Sequence, residues 1–274
     1  MKLLSWNLNA RIRAAPEQAA AITRREPDIV TMQEVTVTSR GIHRQMFADG
    51  GLPFIVDSFE LAESLSHLTG ARRYGLLVAA RFPIKPLTEP RFAVPWPERI
   101  IGVQGGGVQI FTTHLPPGSS NGWKKIETFE GLYAGLCKAS PHPRILSGDF
   151  NSPQFENDSG EIVTWGQVRQ ADGTIRCRGR WRGGSGKRWD EAERSVLHGL
   201  SRYGLPDVFR ALHGYQRQEF SWFLKRKGWV VGRRFDHVFA SVSLKPKSCE
   251  YLHALRESGL SDHSPIEVVF HASG

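Results

Sequence analysis

Seven short apolar runs are spread over the whole chain of 274 residues, each cut off by polar or turn residues. They are KLLSWNL (2–8), DIVTMQEV (28–35), YGLLVAARF (74–82), VQIFTTHL (108–115), RILSGDF (144–150), FDHVFA (235–240) and PIEVVF (265–270). Short β-branched runs bounded in this way read as strands. Helical patterns lie between them. Residues 16–26 read as a short helix stopped by Pro27. Within 121–138, Trp123, Ile126, Tyr133, Leu136 and Cys137 keep helical spacing behind Asn121, a plausible cap. Strands mixed with helices from end to end predict one α/β domain over 1–274, with sheet layers inside and helices outside. An apolar fraction of 40% with 23% charged residues excludes a disordered or fibrous chain.

From about 152 to 205 the strand rhythm lapses. TIRCRGRWRGGSGKRW sets Arg176, Arg178, Arg180, Arg182, Lys187 and Arg188 around Trp181 and Trp189. The segment is expected to be a long basic loop inserted into the domain. It is either a solvated loop or one that tracks phosphates and stacks bases. A second basic stretch, WFLKRKGWVVGRRFDH, interleaves Lys225, Arg226, Lys227, Arg233 and Arg234 with Trp222 and Trp229. In total, 36 Lys+Arg against 27 Asp+Glu leave a net charge of +9, which favours a polyanionic partner. Cys137, Cys177 and Cys249 form no C-x-x-C. They argue against a disulfide scaffold and a cysteine zinc site, and for a reducing, cytoplasmic setting. Neither a membrane span nor a signal peptide is expected, because no apolar stretch is long enough.

The chemistry sits where the strands run out. Asn7 follows LLSW, Glu34 follows IVTMQ, His114 follows IFTT, and Asp149 and Asn151 follow RILSG. Asp236 stands in RRFDHVF, and Asp262 and His263 in LSDHSP before the last strand. Taken singly, each reads as a strand-end cap or a satisfied core residue. Together they are the inventory for hydrolysing a phosphate ester with a hard cation. Mg²⁺ takes one or two carboxylates, so Glu34 is the candidate ligand, with the Asn7 carboxamide oxygen as a neutral neighbour. Asp149 can orient the attacking water, while Asn151, His114 and His263 can donate to phosphate oxygens. Asp236 can hold an imidazole in one tautomer and favour its charged form.

These residues, in this order, resemble the endonuclease/exonuclease/phosphatase superfamily. The resemblance runs from SWNLNA (5–10) and MQEV (32–35) through YGLLVAARFPI, TTHL and SGDFNSP to FSW (220–222), RFDHVFAS and SDHSPIEVVF (261–270). It implies a four-layer α/β sandwich, two face-to-face mixed sheets flanked by helices. It also implies Asn7 and Glu34 at the metal, Asp149 on the water, Asn151 on the phosphate, and Asp236 paired with a phosphate-binding His263. Asp262 would lie beside the metal or support that histidine, and His114 would reach the phosphate as in the deoxyribonuclease and sphingomyelinase branches. WNLNARIR resembles the AP endonuclease pattern, with Asn9 and Arg11 fitting and Ala10 replacing a glycine. Tyr74 stands near the place of that branch's phosphate-reaching tyrosine.

The basic stretches adjoin the implied catalytic face. The expected activity is therefore a Mg²⁺-dependent nuclease, with Mn²⁺ as a possible substitute. It would work as a monomer on DNA or RNA, with Trp222, Arg178, Arg180, Arg182 and Arg233 among the substrate contacts. The alternatives are a phosphatase or phosphodiesterase of a phospholipid headgroup or small metabolite, and a non-catalytic nucleic-acid-binding protein on a decayed enzyme fold. The last is weakened because Asp149 and His263 are both retained.

Overall fold

In a computed structural model, described for residues 1–62 and 64–271, all seven expected runs are strands. A six-stranded and a five-stranded sheet stack face to face. At the centre of the first, β1 (Lys2–Asn7) lies parallel to β2 (Ile29–Val35). Antiparallel to these run β4 (Gly75–Ala80) beside β2 and the final strand, Ile266–Phe270, beside β1. The edges are β3 (Phe54–Asp57) and the strand Pro246–Tyr251. The second sheet centres on a parallel pair, β7 (Val108–His114) and β8 (Arg144–Asp149). Strand Asp236–Ala240 runs antiparallel to β8, and β6 (Ile100–Gly105) and β5 (Lys85–Pro86) complete that sheet.

Three apolar layers hold four layers of structure together. Leu3, Ile29, Ile110, Ile145, Val238 and Val268 pack between the sheets. Leu4, Trp6, Val30 and Met32 face helices α1 (Ala15–Thr23) and α2 (Val37–Asp49). Phe111, Leu146 and Phe239 face the helices Lys124–Leu136 and Gly186–Leu197. The alternation is the ordinary period of two, so Leu3, Ser5 and Asn7 share the inter-sheet face of β1. Towards one end that interface turns polar. There Thr31 meets Ser147 at 2.9 Å, and the Gln33 amide donates to Ser5 and Thr112 at 3.2 and 3.1 Å.

Two expectations change. The helix at 121–138 begins at Lys124; Asn121 ends a separate short helix, Gly118–Asn121, and Gly122 (φ 55°) breaks the two apart. The segment 152–205 is not a featureless loop. Antiparallel ribbons join 155–156 to 162–163, 167–169 to 175–177 and 180–181 to 184–185. They lead into the Gly186–Leu197 helix, whose Trp189, Ala192, Val196 and Leu197 are core against the second sheet. The density of Arg and Gly just before that helix masks its apolar stripe, which keeps ordinary helical spacing. The second basic stretch is a hairpin, Trp222–Arg226 paired with Trp229–Arg233.

Candidate active site

Parallel pairing brings strand ends together. Asn7 sits opposite Gln33 at the end of β1 and β2, and His114 opposite Asp149 at the end of β7 and β8. Asp236 opens its strand opposite Asp149, and His263 lies three residues before the final strand. Clefts at the carboxyl ends of strands are where α/β sheets bind ligands. Gly148 is required here: its φ is +140°, and a Cβ would sit 1.9 Å from the Thr113 carbonyl of the paired strand.

The cluster is tight and almost wholly buried. Asn7 Nδ2 donates to Asp149 Oδ2 at 2.8 Å and to Glu34 Oε1 at 3.3 Å. His114 Nε2 lies 3.6 Å from Glu34 Oε1 and 3.7 Å from Asp149 Oδ2. His263 Nε2 is 3.9 Å from Asp149 Oδ2, and its Nδ1 meets Asp236 Oδ2 at 2.7 Å. The backbone N–H of Asn151 donates to Asp149 Oδ1 at 2.8 Å, and its side-chain amide to the Leu115 carbonyl at 2.9 Å. Trp222 Nε1 donates to Asp262 Oδ2 at 3.0 Å, while its ring stacks on Phe235.

The two histidines differ in charge: His263 is cationic and His114 neutral. Burial opposes a charge on His263, but Asp236, then Asp149, outweigh it and raise its pKa to about 10. It is an imidazolium with Nδ1–H on Asp236 and Nε2–H facing Asp149. Burial holds His114 well below the usual histidine range, and the nearby Arg99 guanidinium adds to this. Arg99 Nη1 contacts His114 Nδ1, and a guanidinium has no acceptor to offer. Nδ1 therefore accepts, and the proton of the neutral ring sits on Nε2, facing Glu34 and Asp149. Burial also raises Glu34 above its usual value and Asp149 to about 7.

The donor set fits a hard cation. Glu34, Asp149, Asp236 and Asp262 exceed the cations His263 and Arg99, and buried Asp236 Oδ1 and Asp262 Oδ1 have no hydrogen-bond partner. One atom each of Asp149, Asp236 and His263 lies within 4.8 Å of the others. A protonated, Asp-paired His263 cannot ligate, however, which leaves the carboxylate oxygens. The oxygen expected of Asn7 is engaged, since Asn7 Oδ1 accepts the Asn9 N–H at 2.9 Å. Asn7 instead meets both carboxylates through its amide N–H.

The outlying expectations divide. Arg178, Arg182, Trp222 and Arg233 line the cleft beside His263 and Asn151. Arg180 is exposed and does not line it. Arg11 is engaged by the Gly259 carbonyl, and Tyr74 by Arg73. Buried Arg234 is spent on Glu156, at 2.7 Å through two nitrogens, and on Asp207 at 2.9 Å. It anchors the strand that carries Asp236 and leaves no charge for a substrate.

Three residues were missed from sequence. Arg99 sets the tautomer of His114. Lys125, 1% exposed, donates to the Asn151 carbonyl at 2.9 Å and pairs with Glu193 at 2.8 Å. Glu193 also takes the Trp189 N–H at 2.8 Å, so the outer helix props the Asn151 loop. An arginine, a lysine and a glutamate within helical segments carry no sequence signal that separates them from solvated charges.

A family model described as the endonuclease/exonuclease/phosphatase family matches residues 4–263. The chain belongs to that family. Exodeoxyribonuclease III of Haemophilus influenzae is 27% identical over 290 residues, spanning 98% of this chain and 100% of that protein. An AP endonuclease from Archaeoglobus fulgidus shares the fold with a TM-score of 0.69 at 21% identity, covering 99% of this chain and 100% of the other. A 3′ phosphatase from Neisseria, solved with product DNA hairpin, gives 0.68 at 19% identity, again over 99% and 100%. As a family member the chain is a phosphoester hydrolase of a metal-dependent class. Among the described residues no helix is long and apolar enough to cross a membrane.

Proposed function

We propose that this protein is a Mg²⁺-dependent DNA nuclease that cleaves a phosphodiester by in-line attack of water. The observation that carries this is the convergence of His114 Nε2 and His263 Nε2 on Asp149 Oδ2, at 3.7 and 3.9 Å. Charge developing on the phosphate oxygens in the transition state needs donors already aimed at it. Asp149, held by Asn7 and the Asn151 N–H, orients the water and takes its proton. His263 donates Nε2–H to a phosphate oxygen while Asp236 keeps it charged. His114 donates its Nε2–H without adding charge, and Asn151 contacts the phosphate. Glu34 and Asp262 would hold Mg²⁺, which when bound neutralises phosphate charge as a Lewis acid.

DNA as the substrate is supported by the printed activities of the relatives, the +9 charge and the basic residues around the cleft. Tyr74, Arg11 and Asn9, whose N–H is held by Asn7 Oδ1, are proposed as further contacts. The free cysteines support a reducing, cytoplasmic setting for a monomer. The test is nicking of supercoiled plasmid with Mg²⁺ against EDTA, with Asp149→Ala beside the wild type. Metal-dependent nicking by the wild type alone is expected. Equal nicking by both proteins, or none with any metal, overturns the reading and moves the substrate to small phosphate esters.

A further inference from the structure

A cavity of about 480 Å³ opens beside the catalytic cluster, with Asn151 and His263 in its wall. That volume is within the range of sites that enclose a small ligand. Its wall is unusual in composition: four indoles, Trp165, Trp181, Trp189 and Trp222, alternate with Arg178, Arg182 and Arg233, and no carboxylate lines it. Guanidinium and indole are already interleaved. Arg178 lies over Trp181 at 4.0 Å, and Arg233 over Trp165 at 5.7 Å.

Packing alone accounts for three of the indoles, whose N–H groups have acceptors. Trp165 donates to Asn151 O at 3.1 Å, Trp189 to Glu193 at 2.8 Å and Trp222 to Asp262 at 3.0 Å. The Trp181 N–H is buried and has no acceptor. A buried donor left without a partner costs ~1–3 kcal/mol, so packing does not account for this fourth indole as it does for the other three.

We propose that this cavity takes the heterocyclic base of the nucleotide whose phosphate lies on the catalytic cluster. The unit recognised is then an intact, base-bearing nucleotide and not a bare sugar phosphate. The inference rests on the nuclease reading above and deepens it. A sugar or a polyol headgroup would call for carboxylates and amides matched to its hydroxyls. This wall offers planar faces and positive charge, which suit a flat aromatic ring next to an anion. Trp181 and Arg178 both come from the segment at 152–205, which gives that segment a place in recognition.

The test compares two oligodeoxynucleotides that differ at the nucleotide beside the scissile phosphate, one carrying adenine and the other a baseless tetrahydrofuran residue. The ratio of kcat/KM for the base-bearing over the baseless substrate should fall about tenfold in Trp181→Leu, in line with one lost stacking contact. Trp181→Phe, which keeps an aromatic face, should recover most of it. A ratio unchanged in Trp181→Leu, or one that Trp181→Phe fails to recover, overturns the proposal. A binding arm needs no turnover: calorimetric titration with dAMP and with 2-deoxyribose 5-phosphate. The wild type should prefer dAMP at least tenfold and Trp181→Leu should lose that preference; equal binding of both by the wild type overturns the proposal. If the wild type cuts neither oligonucleotide, the nuclease reading fails, and the binding arm still decides the cavity.

Discussion

The charge on His263 is the feature of the site most open to a decisive experiment. Asp236 Oδ2 lies 2.7 Å from His263 Nδ1, and Asp236 is the first of the groups that raise this histidine to about 10 against the effect of burial. Asp236→Asn keeps the shape and removes the charge. Burial then dominates, and the pKa should fall to or below the ordinary histidine value of ~6.5. At pH 7.5 the charged fraction drops from nearly all to about one-tenth or less, and each further unit of pKa removes another factor of ten. The asparagine also holds the ring less well, and a misaligned transition-state donor costs ~10²–10³. The combined loss in kcat at pH 7.5 is therefore expected at about 10³–10⁴.

The pH profile separates ionisation from a general loss of fold. The wild type should show no fall in rate from loss of the His263 proton until pH approaches 10, so across pH 6.5–8.5 this group imposes no slope. In Asp236→Asn the rate should rise about tenfold per unit as pH drops from 8.5 towards 7.5, until protonation of Asp149, raised by burial to about 7, opposes the gain. Initial rates at saturating Mg²⁺ on a labelled oligonucleotide, with circular dichroism to check the fold, give both numbers. A folded variant within tenfold of wild type at pH 7.5, or a deep loss that does not recover on acidification, would refute the reasoning.

Three further outcomes follow from single contacts. Glu34→Gln should raise the Mg²⁺ concentration for half-maximal activity by about tenfold or more, the equivalent of one charge-assisted bond; an unchanged metal titration takes Glu34 out of the metal site. Neutralising Arg178 and Arg182, which line the cleft, should flatten the slope of log affinity against log salt by about 1–2. Arg180→Gln should leave that slope alone, and the reverse pattern would refute the assignment. His43, 1% exposed with neither ring nitrogen partnered, is held down to about 4 by burial. The unfolded chain therefore takes up this proton first, so stability is intact above pH 6.5 and is lost as pH falls from 6.5 towards 4. His43→Leu should recover about 2 kcal/mol at pH 5 and little at pH 8, read from urea unfolding at both pH values; equal effects at both would count against it.

The legible part of the fold was the part governed by local pattern. All seven apolar runs are strands because each pairs through residues with a period of two. The short strands Phe54–Asp57 and Pro246–Tyr251 went unseen because their burial is partial and they lie at edges. At the site, Asn7, His114, Asp149, Asp236 and His263 were legible because each ends or opens a strand and its chemistry is distinctive. Their charge states were not. His114 is neutral because Arg99 reaches it from 15 positions away, across the β6–β7 pair, and His263 is charged because Asp236 reaches it from 27 positions away. The same distance effect hid Arg234, which reads as surface charge until Glu156, 78 positions earlier, is folded against it.

Glu34 shows why period alone cannot place a catalytic side chain. Along β2, Val30 and Met32 face the helices, whereas Ile29, Thr31 and Gln33 face the other sheet. Strict alternation would send Glu34 to the helix side, into an apolar layer where a carboxylate has no partner. The pairing with β4 instead shifts register between Met32 and Val35, and Glu34 takes a φ of 56°. This bulge returns Val35 to the helix side and lets Gln33 and Glu34 both face the cleft. A left-handed glutamate costs ~1–3 kcal/mol. Asn9 and Asn151 of the site share that region of φ, as do Ala10, Glu26, Arg182 and Lys245, whereas Asn7 and Asp149, whose side chains already point inward by parity, do not. At Glu34 the backbone is strained because the strand must override its own alternation to bring a carboxylate to the cleft. That places the Glu34 carboxylate beside Asn7 and His114, at the cost of an unfavourable backbone at the site itself.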